Sequence, residues 1–321
     1  MRDENQSSPI RIAALLYGVG AGVLLLALAV LVFLPVEWSG AKTRMLLWKA
    51  GARPVLWEKH RGFTQDRCGG ATPDQCVCVW LFHGLGDSIS TWRDLIIDRK
   101  SLGSRPTRLY AIDLPAHGGS LKRKNQEEYR VRVIAHEIDR EIEKTEVCTR
   151  NVIIGNSFGG WVGTRIALED PTRFEKLILL SPAGMDKIQP PRETDLDRLF
   201  DEPTVEALKD FQKRAYFKPR ELPDSAWKSA VNRVRDSDAG EIRKAQMPED
   251  SLDSDLSKLK VPSLLVWGDA DRILARPEMD AFLAKSPSTK FEVIHDCGHL
   301  PQKECSGKLF PLLVRELSGL H

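Results

Sequence analysis

The sequence has no block of like charge. Its 47 Lys and Arg stand against 45 Asp and Glu, a formal +2, with the signs interspersed. That excludes a dedicated nucleic-acid surface, which needs basic residues gathered on one face. Gly and Pro are few, 23 and 19 in 321 residues, so collagen-like and low-complexity classes are excluded. The chain is 42% apolar, enough to build a core, which removes intrinsic disorder. There is no H-E-x-x-H, no P-loop and no internal repeat, so zincins and P-loop nucleotide enzymes drop out. The cysteines carry no zinc signature, because Cys68 and Cys76-Val77-Cys78 lack a second matched pair. Gly18, Gly20 and Gly22 are not a dinucleotide turn, since they lie inside an apolar run. No metal and no cofactor are expected.

What the chain does have is one long uncharged stretch, Ile12–Val36. About 20 apolar residues cross a bilayer, whereas a secretory signal has an apolar region of only ~7–15. A retained membrane anchor over 1–40 is therefore expected, in preference to cleavage after Ala41. Gly18 and Gly22 form a G-x-x-x-G pair that could dimerise such a helix, although oligomeric state is not legible. Trp38, Trp48 and Trp57 in the following 41–66 fit an interfacial belt or packing on the domain. Arg2 and Arg11 against Lys42, Arg44, Lys49 and Arg53 would keep the globular part in the cytoplasm. Six cysteines, an even number, suit disulfides in an exported domain, and the exported side is favoured. Cys78 and Cys148, each beside a strand-like run, read as small buried apolar residues.

Beyond this, short apolar runs alternate with helix-period segments. Val77–Phe82, 108–112, 151–154, 176–180, 263–267 and 290–294 read as strands, continuous rather than alternating, as in a parallel sheet covered on both faces. Val131, Ile134, Ile138 and Ile142 stripe one face of a helix within 127–147, and a second helix fits 157–169. The pattern implies βαβ units in a doubly wound sheet. Residues 185–260 break the rhythm and read as an inserted helical cap, with core segments 67–184 and 261–321 on either side.

The chemistry sits at strand ends. Gly155-Asn156-Ser157-Phe158-Gly159 is a G-x-S-x-G between a strand and a helix, the setting in which a tight turn lifts a serine hydroxyl clear of the sheet. Such a serine needs a histidine base held by a carboxylate. Of seven histidines, His299 in Asp296-Cys297-Gly298-His299 fits best, with His295 next. His136 reads as a helix-surface residue. Asp271, in Trp267-Gly268-Asp269-Ala270-Asp271, fits the acid, with Asp269 and Asp186 as alternatives. The N–H groups of Phe158 and of Leu85, within His83-Gly84-Leu85-Gly86-Asp87, would meet an oxyanion, and His83 would hold that loop.

These segments, together with Asp113-Leu114-Pro115-Ala116-His117-Gly118-Gly119-Ser120, stand in an order that resembles the α/β-hydrolase superfamily over about 75–321. Ala116 stands where that superfamily usually has Gly. The resemblance implies an α/β-hydrolase doubly wound, mostly parallel sheet with a helical cap, here preceded by one N-terminal transmembrane helix. Gly-Asn-Ser-x-Gly-Gly elbows occur among monoacylglycerol-lipase-like and bacterial lipase members, and among C–C bond hydrolases. The latter typically carry Trp after the histidine, where this chain has Leu300-Pro301. The expectation is a membrane-anchored carboxylic-ester hydrolase using Ser157, His299 and Asp271 on a small-molecule or lipid ester. Alternatives are a C–C hydrolase, thioesterase or acyltransferase, or a non-catalytic tethered binding protein. Leu199, Phe200, Phe211, Tyr216, Phe217 and Trp227 of the cap could line an acyl tunnel.

Overall fold

The computed structural model describes residues 37–145, 147–185, 199–274 and 276–320. All six expected strands form: β3 (Val77–Phe82), β4 (Thr107–Asp113), β5 (Arg150–Asn156), β6 (Phe174–Leu180), β7 (Ser263–Gly268) and β8 (Lys290–Ile294). Two more precede them, β1 (Arg53–Leu56) and β2 (Arg61–Asp66). The eight make one sheet in the order β1-β2-β4-β3-β5-β6-β7-β8. The β1/β2 and β2/β4 pairings are antiparallel, and every other pairing is parallel. Every residue of β3 and of β7 is buried, which is why those strands read as unbroken apolar runs.

Segment 41–66, expected to lie between an anchor and the core, instead contributes to the domain. Helix α1 (Glu37–Lys49) leads into β1 and β2, which extend the sheet. Trp57 is buried and its indole donates to Thr145 Oγ1 at 2.7 Å, so it packs on the domain. Trp48 stays exposed under the Arg53 guanidinium, and the side chain of Trp38 lies outside the described residues. No helix among the described residues is long and apolar enough to cross a membrane. This corrects the placement of the chain as a single-pass anchored protein with an exported domain. The run Ile12–Val36 that carried that placement, with its Gly18/Gly22 pair, lies outside the described residues.

Helix α2 (Arg93–Ile97) follows a 3₁₀ turn at Ile89–Trp92, and α3 (Val131–Thr145) buries the stripe Val131, Ile134, Ile138 and Ile142. Helix α4 (Phe158–Glu169) is apolar nearly all round and sits against β5 and β6. Between β6 and β7 the chain leaves the sheet for α5 (Val205–Ala215), α6 (Asp224–Asp236) and α7 (Ala239–Ala245). Leu199, Leu208, Trp227, Val231 and Val234 give these helices an apolar cluster of their own. Helices α8 (Arg276–Lys285), α9 (Pro301–Glu304) and α10 (Ser306–Ser318) complete the layers.

All six cysteines are paired: Cys68–Cys76, Cys78–Cys148 and Cys297–Cys305. The reading of Cys78 and Cys148 as unpaired apolar fillers is corrected. Parallel pairing sets Cys78 opposite Asn151, and this brings Cys148, just before β5, alongside it.

Candidate active site

The serine turn is built by exclusion of side chains. β5 ends at Asn156 and α4 starts at Phe158, so Ser157 alone reverses the chain, at φ +52° and ψ −118°. A non-glycine residue in such a conformation costs on the order of 1–3 kcal/mol, which its surroundings must outweigh. They do so by hydrogen bonding. The Ser157 N–H donates to Leu180 O at 3.0 Å, and its carbonyl accepts from the N–H groups of Gly160, Trp161 and Ala183 at 2.9–3.1 Å. The flanking glycines are steric necessities: a Cβ on Gly155 would lie 2.4 Å from Gly159 O, and one on Gly159 2.3 Å from Phe82 O.

Asp271 lies just past β7, its Oδ1 accepting from the N–H groups of Ile273 at 2.9 Å and Leu274 at 3.1 Å. Its Oδ2 is 2.7 Å from His299 Nδ1, with the two side chains 0% and 3% exposed. Asn156, next to Ser157, donates from Nδ2 to His299 O at 3.0 Å and to Leu180 O at 2.9 Å. Ser157, His299, Phe158 and Leu85 then face one cavity. The alternatives fall elsewhere. His295 and Asp269 pair at 2.9 Å on the surface, with side chains 79% and 40% exposed. His136 is exposed near Glu169, and Asp186 lies outside the described residues.

The loop carrying Leu85 is held by neutral histidines. His83 donates from Nδ1 to Gly84 O at 2.8 Å and accepts at Nε2 from the Leu114 N–H at 2.9 Å. His117 donates from Nδ1 to Pro115 O and accepts at Nε2 from the Gly86 N–H. Burial holds both imidazoles below their ordinary range, His83 at about 3, in keeping with these neutral tautomers. Asp113 anchors the same region by accepting from the N–H groups of Ile89 and Gly119. Burial nevertheless pushes its carboxyl up to about 6. Ala116 adopts φ +58°, the conformation that makes Gly usual there.

Helix α9, immediately after His299, joins the separate pieces. Gln302 Nε2 donates to Thr91 Oγ1 and to Asn156 Oδ1, both at 3.0 Å. Lys303 Nζ lies 2.6 Å from Asp87 Oδ2. Burial alone would raise the Asp87 carboxyl, but the Lys303 ammonium outweighs it and holds the group below its usual range. Sequence reasoning missed Asn156, Gln302 and Lys303. The only signal for α9 was Pro301, which suits a first helical position.

The cavity holds about 400 Å³ between the cap and the sheet. Leu199, Phe200, Phe211, Tyr216 and Trp227 line it as expected, while Phe217 is 40% exposed and does not. Charged groups of the cap and of α9, among them Arg233 and Lys303, also reach it. Among the described residues the group best placed for a metal is Cys297, Glu304 and Cys305, but those two sulfurs are bonded to each other.

A strand-turn-helix serine, a buried His–Asp pair after later strands and a helical cap agree with what comparison finds. A model described as "Alpha/beta hydrolase family" matches residues 78–310. The chain belongs to the α/β-hydrolase family. A 2-hydroxy-6-oxononadienedioate/2-hydroxy-6-oxononatrienedioate hydrolase of Cupriavidus pinatubonensis is 26% identical over 256 residues, 75% of this chain and 86% of the relative. The enzyme of the same name from Escherichia coli K12 is 26% identical over 257 residues, with the same coverage. Among solved structures, a membrane phospholipase A described as a bacterial virulence factor superposes with a TM-score of 0.68. It is 23% identical, covering 97% of this chain and 98% of that one. A thermophilic esterase gives a TM-score of 0.62 at 20% identity, covering 84% and 98%. These two likenesses speak to the fold.

Proposed function

We propose that this α/β hydrolase cleaves carboxylic esters with apolar acyl groups through an acyl-enzyme on Ser157. In this reading Ser157 Oγ attacks the ester carbonyl while His299 takes its proton at Nε2. Asp271, bound at Nδ1, selects that tautomer and stabilises the imidazolium. The N–H groups of Phe158 and Leu85 meet the developing oxyanion. His299 then protonates the leaving alkoxide, and a water activated by the same imidazole releases the acid. Residues 185–260 act as the cap over the acyl group. The observation that carries the reading is that Ser157 and His299, the latter on its buried acid, open onto one largely apolar cavity.

Each methylene taken into that cavity contributes roughly 0.8 kcal/mol, so kcat/KM should climb with acyl length until the cavity fills. The test is a fluorophosphonate probe together with p-nitrophenyl esters of increasing length. Labelling that vanishes in Ser157→Ala, with medium-chain esters outrunning acetate, supports the proposal. An unlabelled protein that hydrolyses none of the esters sinks it. A second reading, C–C bond hydrolysis of a vinylogous diketone, is favoured by the names of the curated relatives. Turnover of such a diketone with negligible esterase activity would decide for it.

A further inference from the structure

Glu304 ends α9, and neither the proposed chemistry nor the cavity lining uses its carboxylate. Its Oε2 accepts from the Gly298 N–H at 2.8 Å and the Phe217 N–H at 3.1 Å, and its Oε1 from the Lys218 N–H at 2.8 Å. One donor belongs to the loop that carries His299, and two belong to the cap just past the end of α5. A carboxylate accepting three backbone N–H groups makes stronger bonds than a neutral acceptor would, and here it joins two segments distant in the chain.

The joint is wider than one side chain. The carbonyls at the end of a helix have no partner within it. At the end of α5, Ala215 O accepts the His299 N–H at 2.7 Å, and Arg214 O accepts the Arg272 N–H at 3.2 Å. The cap therefore touches the histidine loop and the acid loop at the same spot. The approach is close, since a Cβ on Gly298 would lie 2.2 Å from Ala215 O. The same helix presents Leu208, Phe211 and Gln212 to the cavity.

We infer that Glu304 is a positioning residue: it fixes His299 relative to the cap, so that the acyl group held against α5 and the alignment of the base are set together. The inference rests on the serine-hydrolase reading above. A displacement of about 1 Å at a reacting group can cost ~100-fold in rate. Loss of the joint is thus expected in kcat, not in KM or in the number of folded sites.

The experiment uses the full chain as wild type, Glu304→Ala, Glu304→Gln and Gly298→Ala. Endpoint fluorophosphonate labelling counts competent sites, and the labelling rate and kcat are then expressed per labelled site. In Glu304→Ala the expected result is a fall of about 100-fold in both rates with KM near wild type, and a flattened rise of kcat/KM with acyl length. Glu304→Gln, which keeps one carbonyl oxygen, should recover part of the loss. Gly298→Ala, which pushes the loop off the cap while keeping the Glu304 carboxylate itself, should give the same signature and stands in if Glu304→Ala does not fold. Wild-type kcat per labelled site in Glu304→Ala, with only a lowered Tm, would overturn the inference and leave the hydrolase reading standing. A wild type that neither labels nor hydrolyses ester overturns the hydrolase reading itself.

Discussion

His299 Nδ1 lies 2.7 Å from Asp271 Oδ2 inside the protein, while His295 and Asp269 repeat the contact at 2.9 Å in the open. Two His–Asp pairs thus arise from the same two loops, and burial separates them. In water a carboxylate does little for an imidazole, because solvent stabilises the imidazolium as well. Around Asp271 and His299 that solvent is missing, so in the proposed mechanism Asp271 is the acid that would hold the tautomer in which Nε2 is free to take a proton.

From this pair a contrast follows. Asp271→Asn should fold and lose on the order of 10⁴-fold in kcat, as expected when the orienting acid of a triad is removed. Asp269→Asn should stay near wild type. Steady-state kinetics of the two variants check it, and comparable losses in both would remove Asp271 from the acid role.

The central parallel strands were legible because they are buried on both faces and so read as apolar runs, as Val77–Phe82 and Ser263–Gly268 do. The strands Arg53–Leu56 and Arg61–Asp66 were not. The first is mostly exposed at the sheet edge and the second is largely polar, so neither carries an apolar signal. The site divides in the same way. Ser157, His299 and Asp271, the residues proposed for catalysis, stood out in the sequence because each sits in a short motif directly after an apolar strand. Asn156, Gln302, Lys303 and Glu304 are ordinary polar residues, and their partners come from distant chain: Gln302 reaches Asn156 over 146 residues and Lys303 reaches Asp87 over 216. No local pattern records such a contact. The Cys78–Cys148 bond, spanning 70 residues, was hidden for the same reason.

Acid should weaken the fold in a defined window. Burial lowers His60 and His83 from 6.5 to about 3 in the folded state, with Arg123 adding to the effect at His60 and His117 at His83. Below 6.5 the unfolded chain takes up protons that these two buried rings refuse. The stability they confer is therefore present above pH 6.5 and is lost as pH falls toward 3. At ~1.4 kcal/mol per pKa unit, each should cost about 2 kcal/mol by pH 5. Urea unfolding at pH 7.5 and pH 5 measures this. His60→Gln should flatten the difference by about one histidine's share, and an unchanged slope in that variant would remove His60 from the account.

The Asp87–Lys303 pair lies between the loop carrying Leu85 and α9, with side chains 13% and 29% exposed. Removing one partner leaves the other charge partly buried and uncompensated, and such losses run to about 3 kcal/mol. Lys303→Met alone should therefore destabilise more than Lys303→Met combined with Asp87→Leu. Denaturant midpoints of the single and double variants test it, and simple additivity would show that the pair is not coupled.

The disulfides should separate stability from activity. Closing a loop removes entropy from the unfolded chain in proportion to the logarithm of its length. The separations are 70 residues for Cys78–Cys148 and 8 for Cys297–Cys305. The corresponding stabilisations are about 4 and about 2.5 kcal/mol. Replacing Cys78 and Cys148 by Ser should thus lower the denaturant midpoint more than replacing Cys297 and Cys305. Activity should rank the other way. The small ring encloses Gly298 and His299 and ends beside Glu304, so opening it frees the loop that holds the base, whereas Cys78–Cys148 ties the starts of two strands, away from the cavity lining. The Cys297→Ser/Cys305→Ser chain should therefore lose kcat under conditions where it remains folded, and the Cys78→Ser/Cys148→Ser chain should keep it. Midpoints and kcat measured on both double variants decide the matter: equal kcat in the two would mean that Asp271 and the Asn156 amide hold His299 without help from the ring.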